Sequence, residues 1–170
     1  ITGGGEPFML PFTRMLALIT QCSAKFSTVC AISNGYSLSQ LSTTARMEAL
    51  RDLDKAGLTV RSLSRHAVSE YDNEKIMWLK TESHKVAHTW REAMDSDAPL
   101  ASLTRLRWVC VLQKGGVDSL EQLHAYMTFV TSSGANEVCF KELYVSTTVE
   151  SVYHDHASNV WSTQHQVPLA

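Results

Sequence analysis

Leu103-Thr104-Arg105-Leu106-Arg107-Trp108-Val109-Cys110-Val111-Leu112 (LTRLRWVCVL) reads as a β-strand. Val109 to Leu112 form a continuous apolar run of strand character, and the run closes on a loop, QKGGVDS, rich in turn residues. A strand that is apolar on consecutive residues is one covered on both faces, as in a parallel sheet.

The same alternation continues outward. Downstream, Ser119 and Gln122 make a capping box for a helix that ends near Gly134, and Glu137 to Leu143 is a last strand. Upstream lies a long helical stretch from about Asn73 to Met94, with Pro99 as its breaker. A polar loop, RHAVSEYD, separates that stretch from Leu58 to Ser64 (LTVRSLS), which alternates like a strand. Earlier still come a helix from about Gln40 to Ala56 stopped by Gly57, and a strand from Phe26 to Ser33 that ends at Asn34-Gly35. The first helix opens at Pro11, with Phe12, Met15, Leu16 and Ile19 at helical spacing. The order turn–α–β–α–β–α–β–α–β, without tandem repeats, predicts an α/β fold with a parallel sheet of right-handed βαβ units. Pattern alone leaves a partial barrel and a doubly wound sheet both open; either puts the site at the C-terminal strand ends.

Composition narrows the function classes. A chain of 170 residues with 44% apolar content builds about one domain with a real core. A net charge of −2 offers no field to gather nucleic acid or anionic lipid, so neither is expected as a partner. With no membrane-length apolar run and no signal-peptide pattern at the start, a cytoplasmic location is expected. Cys22, Cys30, Cys110 and Cys139 are widely spaced, and the last three lie in strand-like stretches where cysteine acts as a small buried hydrophobe. Neither a disulfide nor a four-cysteine metal site is expected. The chain opens on Ile1 and enters a glycine turn at once, which reads as a cut inside a domain with a strand missing upstream.

That turn is Ile1-Thr2-Gly3-Gly4-Gly5-Glu6-Pro7. Consecutive glycines let backbone approach a ligand closely, Glu6 adds a charged acceptor, and Pro7 stiffens the exit. The later strand ends carry Ser33-Asn34-Gly35, Ser62 to His66, Gln113 to Gly116, and Lys141-Glu142. Polar groups and glycines thus gather at one edge of an apolar sheet, as a binding site requires.

TGGGEP followed by a helix and then by a strand ending in SNG resembles the radical S-adenosylmethionine (radical SAM) superfamily, whose GGEP-type motif follows the second strand of a partial (β/α)6 TIM-like barrel. LTVRSLSRH and VCVLQKGG resemble the next two strands of that core. The resemblance implies a core over residues 1–143 truncated at its N-terminal strand, followed by an extension over 144–170. It implies that carbonyls of the Gly4–Glu6 turn, with Pro7 beside them and Glu6 in support, accept from the SAM ammonium, a donor-only group. Asn34 belongs to the adjoining turn, Ser64 would face the ribose or carboxylate, Arg65 would pair with that carboxylate, and Gln113 would lie by the adenine. The implied enzyme cleaves SAM reductively at a [4Fe–4S] cluster to a 5′-deoxyadenosyl radical, with an electron donor and an unknown substrate as partners. The family's CxxxCxxC cluster loop is not in this sequence, so the cluster ligands are expected outside it and this stretch alone should be inactive.

Two alternatives stand beside this. One is a cluster-free SAM- or partner-binding domain of the same fold. The other is a metal-dependent α/β enzyme using His84 and His88, or His154 and His156. His84, His88 and Glu92 share a helical face at zinc-ligand spacing, but HKVAH has a lysine where a zincin needs its glutamate, and a solvated face is the plainer reading. Tyr153-His154-Asp155-His156 lies in a tail without clear periodicity. Glu142 reads as an ion pair with Lys141 or as a substrate contact. No GxSxG, Walker A or GxGxxG pattern is present, which disfavours hydrolase, P-loop and nicotinamide chemistry.

Overall fold

A computed structural model describes residues 1–2, 5–97, 99–101, 104–148 and 156–167. Strands β1 (Cys30–Ser33), β2 (Val60–Ser64), β3 (Arg105–Leu112) and β4 (Glu137–Glu142) form one all-parallel sheet in the order β1-β2-β3-β4. In a parallel sheet of sequential order, crossovers of the usual right hand would send the connecting helices to one face, and the helices pack into one core. These are α1 (Phe12–Ser23), α2 (Tyr36–Ser39), α3 (Thr43–Lys55), α4 (Glu70–Met77), α5 (Ser83–Met94) and α6 (Leu120–Ser132), with α7 (Ala157–His165) in the tail. No helix among the described residues is long and apolar enough to cross a membrane.

Local chemistry explains most boundaries. The α3 helix begins at Ser42, whose hydroxyl accepts from Ala45 N–H, and ends at Gly57 in the left-handed region. There Leu58 N–H returns to Leu53 C=O and Gly57 N–H to Asp54 C=O, the paired bonds of a Schellman stop. The first strand is shorter than its sequence suggests: Phe26 is exposed, and pairing starts only at Cys30. The long helix expected over 73–94 is two helices. Trp78 and Glu82 both adopt positive φ, which no helix interior permits, and the chain bends between α4 and α5.

Register separates two faces. Ala31, Leu63, Leu106, Trp108, Cys110 and Phe140 belong to the core that meets the helices. Trp108 donates its indole N–H to Ser133 and packs on Phe129, while Tyr126 meets Phe140 edge-on. The other face carries Cys30, Ser62, Ser64, Arg105, Arg107, Glu137 and Cys139 in aligned register positions. Coverage on both sides, expected from the run in β3, is uneven: Val60, Ser62 and Val109 on this second face are buried, but they lie outside the core that meets the helices. Ile1 makes the two bonds of a parallel rung on Ala31, donating to Cys30 C=O and accepting from Ile32 N–H at 3.1 Å.

Candidate functional site

Glu6 is a hub at the C-terminal end of β1. Its Oε1 accepts from Ser33 Oγ–H at 2.7 Å and from Phe8 N–H at 3.1 Å, and its Oε2 accepts from Asn34 N–H at 2.6 Å. Ser33 Oγ in turn accepts from Gly35 N–H, and Asn34 Oδ1 accepts from Tyr36 N–H. A carboxylate has about four acceptor directions, so one remains. Pro7 opens a 3-10 turn, Pro7–Met9, which Glu6 caps. A side chain at Gly5 would meet nothing within 4 Å, so the backbone there faces open space. Gly3 and Gly4 lie outside the described residues. Gly35 needs its glycine twice over, for a φ of +79° and for Ser83, whose Cβ lies 3.1 Å from where an added Cβ would stand.

The β2 end divides its residues between the two faces. Ser64 stands on the polar face opposite Val109. Arg65 turns to the helices, pairing with Glu70 at 2.7 Å, donating to Val68 C=O at 2.6 Å and stacking over Phe129. Burial pushes Glu70 up, but the Arg65 guanidinium, Glu82 N–H and His84 together hold it below the usual carboxylate range. Arg65 is thus committed within the protein.

His66 closes the polar group at this strand end, where residue type and spacing assign it no role. Its ring Nδ1 accepts from Val111 N–H at 3.0 Å, and its backbone N–H donates to Asn73 Oδ1 at 2.8 Å. Burial lowers its pKa to about 4, so the ring is neutral at pH 7 and carries its proton on Nε2. The signal available in sequence was the alternation through Ser64 and His66, which puts both on the same side of the chain.

The Gln113–Gly116 loop is built for packing. A Cβ at Gly116 would lie 2.6 Å from His66 C=O and 2.9 Å from Ile76 Cδ1, so this glycine lets two loops touch. Gln113 is buried and bridges antiparallel to Gln166 in the tail. Lys114 adds its N–H to His165 C=O and its Nζ to Gln164 C=O. The tail therefore docks on the end of β3. Its helix α7 is capped by His156, whose Nδ1 accepts from Ser158 N–H; Tyr153, His154 and Asp155 lie outside the described residues.

The two histidines of α5 line a separate cleft of about 560 Å³ between α3 and α5. His84 Nδ1 is 3.2 Å from Glu70 Oε2, and His88 Nδ1 is 3.5 Å from Glu92 Oε2. Arg46 also lines it, bonded to the carbonyls of Leu38, Ser39, Leu41 and Lys85 and to Thr89. Among the described residues no three His, Cys, Asp or Glu side chains converge to hold a metal ion.

The thiols are equally dispersed. Cys110 is buried in the core, its thiol pushed up to about 12 by desolvation. Cys30 and Cys139 are half-buried on the polar face, and Cys22 lies on α1. Cluster ligation needs grouped thiolates, so these residues do not fit a [4Fe–4S] centre. No protein-family model matches the sequence, and no curated protein matches it significantly.

Proposed function

We propose that this chain is the SAM-binding part of a radical SAM core, with the cluster ligands supplied from outside residues 1–170. The observation that carries the reading is the tie from Glu6 to Ser33 and Asn34. It fixes Gly5-Glu6-Pro7 against the C-terminal end of β1 and leaves one carboxylate direction, beside the unobstructed backbone of Gly5, for an ammonium group. The sequential strand order supports a partial (β/α) barrel wall, since a doubly wound sheet reverses its order at the switch point. With Arg65 engaged by Glu70, recognition of the SAM carboxylate passes to the hydroxyl of Ser64 and the Nε2–H of His66. In the complete enzyme, SAM and the cluster supply the radical chemistry, and this chain binds and orients.

A cluster-free SAM-binding domain is the second reading, favoured by the dispersed thiols. Titration calorimetry with SAM tests what both share. The wild-type chain should bind, Glu6→Ala should weaken binding at least about tenfold for the lost charge-assisted contact, and His84→Ala/His88→Ala should bind normally. No binding by wild type, or loss in the histidine variant alone, would overturn the proposal. Formation of 5′-deoxyadenosine when a cluster-bearing partner or longer chain is added separates the two readings.

A further inference from the structure

The sheet ends on β4, and the outer edge of that strand is open. Asn136 N–H donates to Leu106 C=O at 2.9 Å, and pairing with β3 then runs from Arg107↔Glu137 to Leu112↔Glu142. Backbone groups alternate sides along a strand. Val138, Phe140 and Glu142 therefore turn theirs toward β3 as Asn136 does, and Glu137, Cys139 and Lys141 turn theirs outward. Among the described residues no other backbone group bonds to those outward N–H and C=O pairs. The opposite edge of the sheet, at β1, already carries Ile1 on one rung. An unpaired edge is a template for a further strand.

The side chains on this edge select the strand that fits. Glu137-Val138-Cys139-Phe140-Lys141 is self-complementary about Cys139 when a second copy runs antiparallel to it. Cys139 then meets Cys139, Glu137 meets Lys141, and Val138 meets Phe140. The faces agree, because Glu137, Cys139 and Lys141 share the polar face, whereas Val138 and Phe140 pack, partly exposed, on the core. Lys141 is exposed and pairs with no carboxylate among the described residues. Glu137 takes one N–H from Arg105 on Oε1 and two from Arg107 on Oε2, which leaves one acceptor direction on Oε1 for the lysine. Outward-facing residues are also those that exchange both bonds in an antiparallel ladder, so every outward group is satisfied in this register. A slip of two residues sets Cys139 against Glu137 or Lys141 and loses both ion pairs. A slip of one sets outward backbone against inward backbone and makes no ladder.

From the open edge, the direction of its backbone and this charge complementarity together, we infer that β4 pairs antiparallel with β4 of a second copy of this chain. The two-fold axis passes beside Cys139, perpendicular to the sheet, and joins two four-stranded sheets into one with both helix layers on the same side. A strand from another protein would satisfy the same backbone groups, but the match of Glu137 to Lys141 and of Val138 to Phe140 is a match of this sequence to itself. The contact is one strand long, at the small end of specific interfaces, so a dissociation constant of about 10–100 µM is expected.

The test is sedimentation equilibrium of the full chain in reducing buffer, from about 5 to about 500 µM, a range that brackets the expected constant. Wild type should pass from the mass of one chain to that of two. Lys141→Glu sets like charges opposite each other at both ends and should weaken association at least about tenfold, an effect that shrinks in high salt. Cys139→Pro removes an outward N–H and no bond to β3, so it should hold the chain monomeric with a native circular dichroism spectrum. A short bismaleimide added to the wild-type dimer should join Cys139 to Cys139, read by peptide mass mapping. That link and Lys141→Glu carry the test even where Cys139→Pro fails to fold. One chain mass at every concentration, a dimer that Lys141→Glu leaves intact, or a dimer without the Cys139–Cys139 link would each overturn the assignment. None of these outcomes depends on whether the chain binds SAM.

Discussion

The two faces of the sheet are built from the same four strands and do opposite things. On the helix side, Trp108, Leu106 and Cys110 are fully buried, and its two arginines are drawn into the interior. On the other side, Arg105 and Arg107 converge on Glu137, and thiols and hydroxyls replace leucines. Alternation along a strand makes this division possible, because neighbouring residues point to opposite faces. One face holds the molecule together. The other sets an ion-paired Arg105, Arg107 and Glu137 beside half-buried thiols, around a centre where Val60, Ser62 and Val109 are buried.

The largest effect that sharpens this comparison is expected at Trp108. Its indole is fully buried, donates to Ser133 at 2.8 Å and packs on Phe129 with ring centroids 5.1 Å apart. Trp108→Ala should cost about 3–5 kcal/mol, a lost large side chain plus the cavity left behind. Urea unfolding followed by circular dichroism measures it. A loss below about 1 kcal/mol would mean that the helix-covered face is not the main source of stability.

Much of this division is legible in sequence, and the failures have physical causes. The apolar run Val109–Leu112 announces a parallel strand, and Ser119, Gly57 and Gly134 mark helix ends correctly. What the run conceals is parity: Val109 and Val111 lie on the polar face among Ser64, Cys139 and Lys141, so a β-branched residue there says nothing about helix cover. The pattern LTVRSLS misleads more directly, because Arg61 faces inward, against the rule that charges point to water. The break after Met77 escapes notice because it depends on left-handed Trp78 and Glu82, neither of them a residue that favours that conformation. The start of that helix was readable, since Ser69 accepts from Asp72 N–H at 3.3 Å and the pair Ser69–Asp72 is a cap signature. At the site, the link between the glycine turn and the SNG turn was legible as adjacency. The commitment of Arg65 to Glu70, five residues away across a loop, was not.

An intermediate effect is expected from His66, where the polar strand ends meet the interior. Its pKa is about 4 in the folded chain against 6.5 for the free side chain, because burial disfavours the charged ring. The unfolded chain therefore binds the extra proton first, and folding loses stability as pH falls from about 6.5 to about 4, with no further loss from this group below that. Two and a half pH units correspond to about 3 kcal/mol. His66→Gln keeps an acceptor for Val111 N–H without a titrating ring, so its stability should decline less steeply over that window. Parallel pH profiles for the two proteins would put the histidine on the exposed side if their slopes coincided. Glu70, held low by Arg65, contributes in both proteins and cancels in the difference.

The smallest effect belongs to the polar face itself. Glu137 receives Arg105 Nη1 at 2.7 Å and Arg107 Nη2 at 2.6 Å, so the geometry is as close as that of Arg65 with Glu70. Solvent decides the difference. Arg105 is half exposed and Arg107 a third exposed, whereas the Arg65 side chain is 3% exposed. Exposed pairs are worth about 0.2–1 kcal/mol and fade with salt, so Glu137→Ala should cost no more than about 1 kcal/mol at low ionic strength and nearly nothing at 1 M salt. A salt-independent loss of several kcal/mol would mean that the cluster is sealed from water, and that the open face is an interior after all.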